Sequence, residues 1–263
     1  MLDAEAIERT AHRLADAFVT ATALAGVEAL GDDAPSTAAE GYAVQARMRG
    51  IAGIEVAAWK VGATSEAAQG LLGVDAPFLG GVSSNRMVAS GHAFSVSEWF
   101  AGGPAIEIEV GLRPTADLTD VPDDALELAE QVEVVPCIEV VDSRFGAIIG
   151  PPGACLIADN GVASALVVGD VLDLDSAAIR GLGSMPVRLD IAGRDPIEGV
   201  ASMALGHPLE ALATAARIAN ELGRPIRAGE VVSTGTCTGL TPVEPGLTVT
   251  GSVGTGTITA SFA

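Results

Sequence analysis

Three glutamates in apolar surroundings are the residues whose types and spacing point most directly to chemistry. Glu139 lies inside the apolar run 134–141, which is typical of a strand buried on both faces. Glu107 and Glu109 alternate with apolar residues, so a strand would place both carboxylates on one face. A buried ionised carboxylate is costly unless it is paired, hydrogen-bonded or bound to a metal. The three glutamates therefore suggest a site for a hard divalent cation, and oxygen ligands favour Mg²⁺ or Mn²⁺.

Each of these glutamates also has an ordinary structural explanation. Glu107 and Glu109 could form the solvated face of an amphipathic strand. Glu139 could be neutralised by Arg144, which follows it closely in the sequence. The residues alone leave the metal site and these structural roles open.

Lys60 is a candidate cation for the same site. It lies near the end of the apolar run 56–61. A lysine at a strand end commonly extends its ammonium group to solvent along an apolar stem. The functional alternative is an ammonium group that faces an acid substrate or donates a proton to it.

The charge of the chain limits the classes of partner. Lysine and arginine total 14 against 34 acidic residues, which gives a net charge of −20. Such a field repels nucleic acid and anionic membranes, so we expect neither as a partner. An acidic small molecule would need local positive charge from a metal ion or from a placed lysine or arginine.

Cysteine usage and the distribution of apolar residues indicate the cellular compartment. Three cysteines occur without CxxC or zinc-type spacing, which argues against a disulfide scaffold or a structural zinc site. The first residues are acidic, whereas a signal peptide begins with basic residues. No uncharged apolar stretch approaches the ~18 residues of a transmembrane helix. We therefore expect a cytoplasmic protein.

The order of secondary structure predicts a helical N-terminal segment, residues 1–52, followed by a β-rich domain, residues 53–263. Residues 1–30 have helical periodicity, and a second helix is predicted from Ser36 or Thr37 to about Arg49. The remaining predictions are helices at 122–129 and 208–222 and strands at 56–61, 106–110, 132–141, 164–172, 186–192, 231–234, 247–250 and 257–260.

Six short motifs connect these elements to a known family. In chain order they are Lys60-Val61-Gly62-x-Thr64-Ser65, Leu72-Gly73-Val74-Asp75-x-Pro77, Glu107-x-Glu109, Ile138-Glu139-Val140-Val141-Asp142-Ser143-Arg144, Ala158-Asp159-Asn160 and Leu205-Gly206-His207-Pro208-Leu209. As an ordered set, they resemble the 2-keto-4-pentenoate hydratase and 4-oxalocrotonate decarboxylase family of the fumarylacetoacetate hydrolase superfamily. The resemblance extends from Tyr42 to the C-terminus.

The resemblance implies a fold and a metal site. The fold would be α+β, with a mixed β-roll like the C-terminal domain of fumarylacetoacetate hydrolase and N-terminal helices packed beside it. Glu107, Glu109 and Glu139 would hold Mg²⁺ or Mn²⁺, and the substrate would chelate the ion through its 1-carboxylate and 2-oxo oxygen. Lys60 would lie in the same site. Members of the family typically form homo-oligomers.

Four further residues, three within these motifs and Ser164 just after Ala158-Asp159-Asn160, are site candidates by the same resemblance. Asp142 and Arg144 join Lys60 as candidate catalytic residues. Asp159 and Ser164 join Lys60 as candidate substrate-binding residues.

The implied activity is a metal-dependent hydro-lyase of aromatic-compound catabolism. It would convert a 2-hydroxy-2,4-dienoate, or 2-oxo-4-enoate, into a 4-hydroxy-2-oxo acid. The alternatives are a 4-oxalocrotonate-type decarboxylase and a non-catalytic partner subunit in a complex with such an enzyme. The chain departs from the family pattern at 77–80, 145–152 and 161–164, which leaves the substrate tail and the choice among hydration, decarboxylation and tautomerisation open.

Overall fold

The computed structural model describes all residues from Met1 to Ala263, arranged as seven α-helices and thirteen β-strands with short 3₁₀ turns. The helices are α1 (Ala4–Thr20), α2 (Ala38–Ala52), α3 (Glu66–Leu72), α4 (Val96–Trp99), α5 (Gly153–Ala158), α6 (Ser176–Arg180) and α7 (Pro208–Glu221). The strands are β1 (Val56–Gly62), β2 (Phe78–Ser83), β3 (Met87–Ala89), β4 (His92–Phe94), β5 (Ala105–Pro114), β6 (Val132–Val141), β7 (Ala163–Val168), β8 (Pro186–Ile191), β9 (Ile197–Val200), β10 (Val231–Thr236), β11 (Thr241–Pro242), β12 (Thr248–Val253) and β13 (Gly256–Phe262).

The strands form two mixed sheets. The larger sheet has the order β2-β1-β10-β5-β6-β7-β3, and β11 pairs with the first residues of β5. The smaller sheet has the order β4-β13-β12-β8-β9. Parallel pairs (β1 with β10, β3 with β7, β4 with β13) occur among antiparallel ones. The predicted α+β class with a mixed sheet core is confirmed.

The main hydrophobic core lies between the two sheets. Ile106 and Ile108 of β5 and Ile138 of β6 point into this core, where they meet Val249 and Ile258 of the smaller sheet. Because side chains alternate along a strand, the intervening residues of β5 and β6 must lie on the opposite face of the larger sheet. That opposite face is where the glutamates lie.

The N-terminal helices form a second, smaller core with the chain near α5. Leu14 of α1, Val44 of α2 and Cys155 of α5 belong to this core. Gly41 allows α2 and α5 to approach closely, since a Cβ atom there would lie 2.6 Å from the carbonyl oxygen of Ala154. The division at residue 52 stays a prediction; α2 ends at Ala52 and β1 begins four residues later, at Val56.

Most of the predicted elements occur, with two corrections. The first helix was predicted through residue 30, but α1 ends at Thr20, where Ala21 adopts a left-handed conformation and caps it. The segment 122–129 was predicted as a helix and is a 3₁₀ turn at Ala125–Glu130. The helices α3 and α5 and the strand β2 were not predicted, because each is short and lacks a complete amphipathic period. No helix of the chain has the length and apolar character to cross a membrane.

Glu40 connects the start of the chain to α2. Its carboxylate accepts hydrogen bonds from the backbone N–H groups of Ser36 at 2.8 Å and Leu2 at 2.7 Å, and it completes a capping box with Thr37. These donors, with the Ser36 N–H first, lower the pKa of Glu40 from 4.5 to about 2. A carboxyl group whose pKa is lower in the folded state stabilises the fold above its unfolded pKa.

We therefore predict a pH-dependent stability loss for Glu40→Gln. The variant should melt at a lower temperature than the unmodified protein at pH 7. The difference should shrink as the pH falls from 4.5 toward 2, where the native carboxyl group is itself protonated. Thermal melts across this pH range measure the effect, with the exposed Glu55→Gln as the matched control. A constant difference from pH 2 to pH 7 would contradict the assignment.

Candidate metal centre

The register between β5 and β6 brings the three glutamates together. Glu107 lies directly opposite Glu139 in the antiparallel ladder, and Glu109 is the next residue on the same face of β5. One carboxylate oxygen from each residue lies within 4.8 Å of the other two. All three side chains are buried, with exposures of 9% for Glu107, 0% for Glu109 and 1% for Glu139.

The donor set and its spacing fit a hard divalent cation. Two oxygens bound to one Mg²⁺ ion at 2.0–2.1 Å can lie at most about 4.2 Å apart, and two bound to Ca²⁺ at up to 2.6 Å about 5.2 Å apart. The observed limit of 4.8 Å lies between these values. A small movement of the carboxylates would therefore enclose either ion.

Two buried carboxylate oxygens at this point have no hydrogen-bond donor. They are Oε1 of Glu109 and Oε1 of Glu139. The other oxygen of Glu109, Oε2, accepts hydrogen bonds from the Ser233 hydroxyl at 2.7 Å and the Gly235 backbone N–H at 2.8 Å. Buried polar atoms are rarely left without a hydrogen bond, so these two oxygens are available as metal ligands.

Lys60 is the cation closest to these carboxylates. Its Nζ lies 3.3 Å from Oε1 of Glu139, an ion-pair contact that lacks the angles of a hydrogen bond. The same Nζ lies 5.4 Å from the centre of the Phe78 ring. Lys60 is 3% exposed, so its ammonium group does not extend into solvent. The alternative pairing of Glu139 with Arg144 is wrong, because Arg144 pairs with Asp159.

Burial and mutual repulsion make this cluster costly without a cation. Two ionised carboxylates no more than 4.8 Å apart repel by roughly 3 kcal/mol or more at an effective dielectric constant of about 20. Burial and the charge of Glu139 raise the pKa of Glu107 to about 7. The same two causes raise the pKa of Glu109 well above 4.5. With Lys60 as the one nearby positive charge, a fully ionised cluster would carry two excess negative charges, which a divalent ion would balance.

Three residues of β10 shape the centre and were missed from the sequence. Ser233 and Gly235 hold Glu109, and the hydroxyl-bearing Thr236 lines the cavity described below. The ladder between β10 and β5 is irregular between Ser233 and Thr236. Gly235 has φ 120°, and a Cβ atom there would lie 2.2 Å from the Thr64 hydroxyl, so only glycine fits. A glycine among hydroxyl residues in a strand is the signal that could have indicated this bulge.

The other predicted site residues lie apart from the cluster or have structural partners. The buried guanidinium of Arg144 pairs with the buried Asp159, whose Oδ2 also accepts a hydrogen bond from the Arg144 backbone N–H at 2.9 Å. The Asp142 carboxylate accepts hydrogen bonds from the backbone N–H groups of Ala101 and Gly102 at 2.6 and 3.0 Å. These contacts indicate a role in positioning loops.

Ser164 also lies outside the cavity wall. It is buried in β7, at the irregularity where that strand pairs with β6. None of Asp142, Arg144, Asp159 and Ser164 lines the cavity. Their catalytic and substrate-binding roles stay predictions.

A cavity of about 270 Å³ opens beside the cluster. Its polar side chains are Lys60, Thr64, Glu107 and Thr236, and the rest of its wall is almost entirely apolar. This volume is near the lower end of ligand pockets, roughly 300–1,000 Å³. The cavity therefore fits a small organic acid better than a nucleotide-sized cofactor.

Curated relatives cover almost the whole chain. The 2-hydroxyhexa-2,4-dienoate hydratase of Comamonas testosteroni is 30% identical over 257 residues, which is 94% of this chain and 93% of that protein. A 4-oxalocrotonate decarboxylase of a Pseudomonas species is 30% identical over 250 residues, 92% of each. No protein-family model matches the chain.

A solved structure has the same fold over the full length. The 4-oxalocrotonate decarboxylase of Pseudomonas putida G7, in complex with magnesium and adipate, superimposes with a TM-score of 0.87 at 27% identity. The match covers 100% of this chain and 99% of that one.

The first prediction for this site concerns cation binding. Glu139→Gln removes one negative charge, so calorimetric titration with Mn²⁺ should show an affinity loss of more than about 100-fold. That loss exceeds the 10–100-fold typical of residues outside the first ligand shell. Glu133→Gln, at the exposed end of the same strand, is the matched control and should bind Mn²⁺ normally. Unchanged affinity in Glu139→Gln would exclude Glu139 as a ligand.

The second prediction concerns the buried ion pair outside the cavity. Asp159→Asn leaves the Arg144 guanidinium buried without a counter-charge, so the free energy of unfolding should fall by about 3–5 kcal/mol. Asp190→Asn breaks an exposed pair with Arg188 and should leave the free energy of unfolding almost unchanged. Urea unfolding measures both. If Asp159→Asn were as stable as the control, the pair would not be structural.

Proposed function

Because the chain belongs to the family of 2-keto-4-pentenoate hydratases and 4-oxalocrotonate decarboxylases, we propose that it is a metal-dependent lyase that hydrates a 2-hydroxy-2,4-dienoate. The product would be a 4-hydroxy-2-oxo acid, as in the breakdown of aromatic compounds. Glu107, Glu109 and Glu139 would hold the ion, for which Mg²⁺ and Mn²⁺ are the candidates.

One observation supports this proposal above the others. A buried cluster of three carboxylates, with two oxygens lacking hydrogen-bond donors, meets through Glu107 a cavity whose wall is mostly apolar. A 2-oxo acid matches both parts, since its carboxylate and C2 oxygen can chelate an ion while its carbon chain occupies the apolar space. Lys60 supplies positive charge at the same end of the cavity.

The chemistry follows from the conjugation of the substrate. The dienol form becomes an electrophile when C2 becomes a carbonyl group and a proton is added at C5. The oxygen of water then bonds to C4 and a proton is added at C3, so that one water molecule is gained overall. A divalent ion held by the glutamates would supply Lewis-acid stabilisation of the negative charge that develops on the C2 oxygen.

Lys60 has a defined part in this scheme. Its buried ammonium group, next to Glu139 and open to the cavity, would hold the anionic end of the substrate. It can also donate a proton from Nζ to an oxygen of the bound acid. Lys60 is the only lysine of the chain, so no neighbouring lysine could replace it.

The second candidate is a decarboxylase of the 4-oxalocrotonate type. The full-length structural similarity to such an enzyme favours it. Loss of CO₂ from a vinylogous 2-oxo acid leaves negative charge on the same C2 oxygen, so the same site could stabilise both reactions.

A non-catalytic partner subunit would bind the cation weakly and have neither activity. The homo-oligomeric state and the cytoplasmic location remain predictions.

The decisive experiment offers dienoates to the purified, Mg²⁺-loaded protein. Loss of the dienol absorbance, with a 4-hydroxy-2-oxo acid as the product identified by NMR, would support hydration. Release of CO₂ from a dicarboxylic 2-oxo-3-enoate, without hydration of any dienoate, would instead support decarboxylation. Absence of both reactions would contradict an enzymatic role.

We predict that Lys60→Met lowers kcat on the order of 100-fold, as expected for the loss of one stabilising donor. Steady-state kinetics measure this change, and calorimetry should show that Mg²⁺ binding is retained. Arg113→Met is the matched control, because Arg113 pairs with Glu133 near the other end of β5 and lies outside the cavity. An unchanged kcat in Lys60→Met would remove Lys60 from the reaction.

A further inference from the structure

The cavity has polar groups at its buried end and apolar groups at its mouth. Lys60, Thr64 and Glu107 are all buried, whereas Leu71 and Leu240 at the mouth are 58% and 37% exposed. The half-buried Ile148 and Leu72 continue the apolar wall between these ends. A ligand whose acid end lies at the buried end therefore extends its other end along apolar side chains.

Positive charge is absent from the outer part of this cavity. Lys60 is the only lysine of the chain, and none of the arginines or histidines lines the cavity. Arg144, in the segment between β6 and α5, is bound instead to Asp159. A second carboxylate at the far end of a ligand would therefore have no cationic partner. The net charge of −20 would add a further repulsion.

We propose that this cavity selects 2-oxo and 2-hydroxy acids with an uncharged, apolar tail and discriminates against dicarboxylates of the same length. This substrate class deepens the proposed function and rests on it for the position of the acid end. Desolvating an unpaired carboxylate against Leu71, Leu240 and Ile148 is unfavourable, whereas a methyl or alkyl group gains from the same contacts.

The expected selectivity has a definite size. Each methylene that the apolar wall buries should improve binding roughly fourfold, from the usual free energy of apolar burial. A tail carboxylate should weaken binding on the order of 100-fold, since Leu71, Leu240 and Ile148 provide no compensating charge or side-chain donor.

The test compares two stable acids that differ only at the far end of the chain. Calorimetry of the Mg²⁺-loaded protein should show that 2-oxohexanoate binds on the order of 100-fold more tightly than 2-oxohexanedioate. Equal binding, or tighter binding of the diacid, would overturn the proposed selectivity and leave the proposed function standing. Failure of both acids to bind would instead overturn the proposed function, and the selectivity with it.

A charge introduced at the mouth provides the complementary test. Leu240→Arg should raise the affinity for 2-oxohexanedioate at least tenfold and lower that for 2-oxohexanoate. Leu222→Arg is the matched control, because Leu222 is 38% exposed at the end of α7 and does not line the cavity. The same change in both variants would indicate a general charge effect and overturn the assignment of Leu240 to the tail region.

Discussion

Repulsion among three carboxylates that water barely reaches is the constraint on which the rest of this site depends. Glu107, Glu109 and Glu139 converge within 4.8 Å, and Lys60 offsets only one of their charges. Burial and the charge of Glu139 raise the pKa of Glu107 to about 7, so the cluster retains a proton more readily when no further cation is bound. Without a bound cation, the repulsion among these carboxylates destabilises the folded state. A divalent ion would neutralise that repulsion, because it carries two positive charges and prefers oxygen ligands.

The fold keeps the three glutamates together because β5 and β6 each contribute one face to the hydrophobic core and the other face to the site. One face of β5 and β6 supplies Ile106, Ile108 and Ile138 to the core between the sheets, and the same alternation holds the glutamates on the other face. The two strands pair over ten residues each, so the register that places Glu107 opposite Glu139 is fixed by apolar burial far larger than the local repulsion. The bulge in β10 then aims two donors at Glu109.

The sequence revealed the acidic residues but not their partners. Glu139 stood out because a carboxylate interrupts an apolar run, which is a local pattern with a direct physical meaning. The pairing of Glu139 with Lys60 depends on how β1, β10, β5 and β6 are ordered in the sheet, and no local pattern specifies that order. The proximity of Arg144 in sequence suggested a different pair, yet Arg144 turns away to Asp159. Long elements such as α2 and α7 were predictable from caps and periodicity, whereas α3 and α5 are too short to show a complete period, and the irregularity at Gly235 depends on its close contact with Thr64.

The central claim is that one divalent ion is bound jointly by three carboxylates. Anomalous diffraction from crystals grown with Mn²⁺ and oxalate tests this claim most directly. The account predicts a single strong manganese peak per chain. The ion should contact one oxygen from each of Glu107, Glu109 and Glu139 and one oxygen from each carboxylate group of oxalate. A manganese peak elsewhere, or the three carboxylates satisfied by protons and Lys60 alone at saturating Mn²⁺, would contradict it.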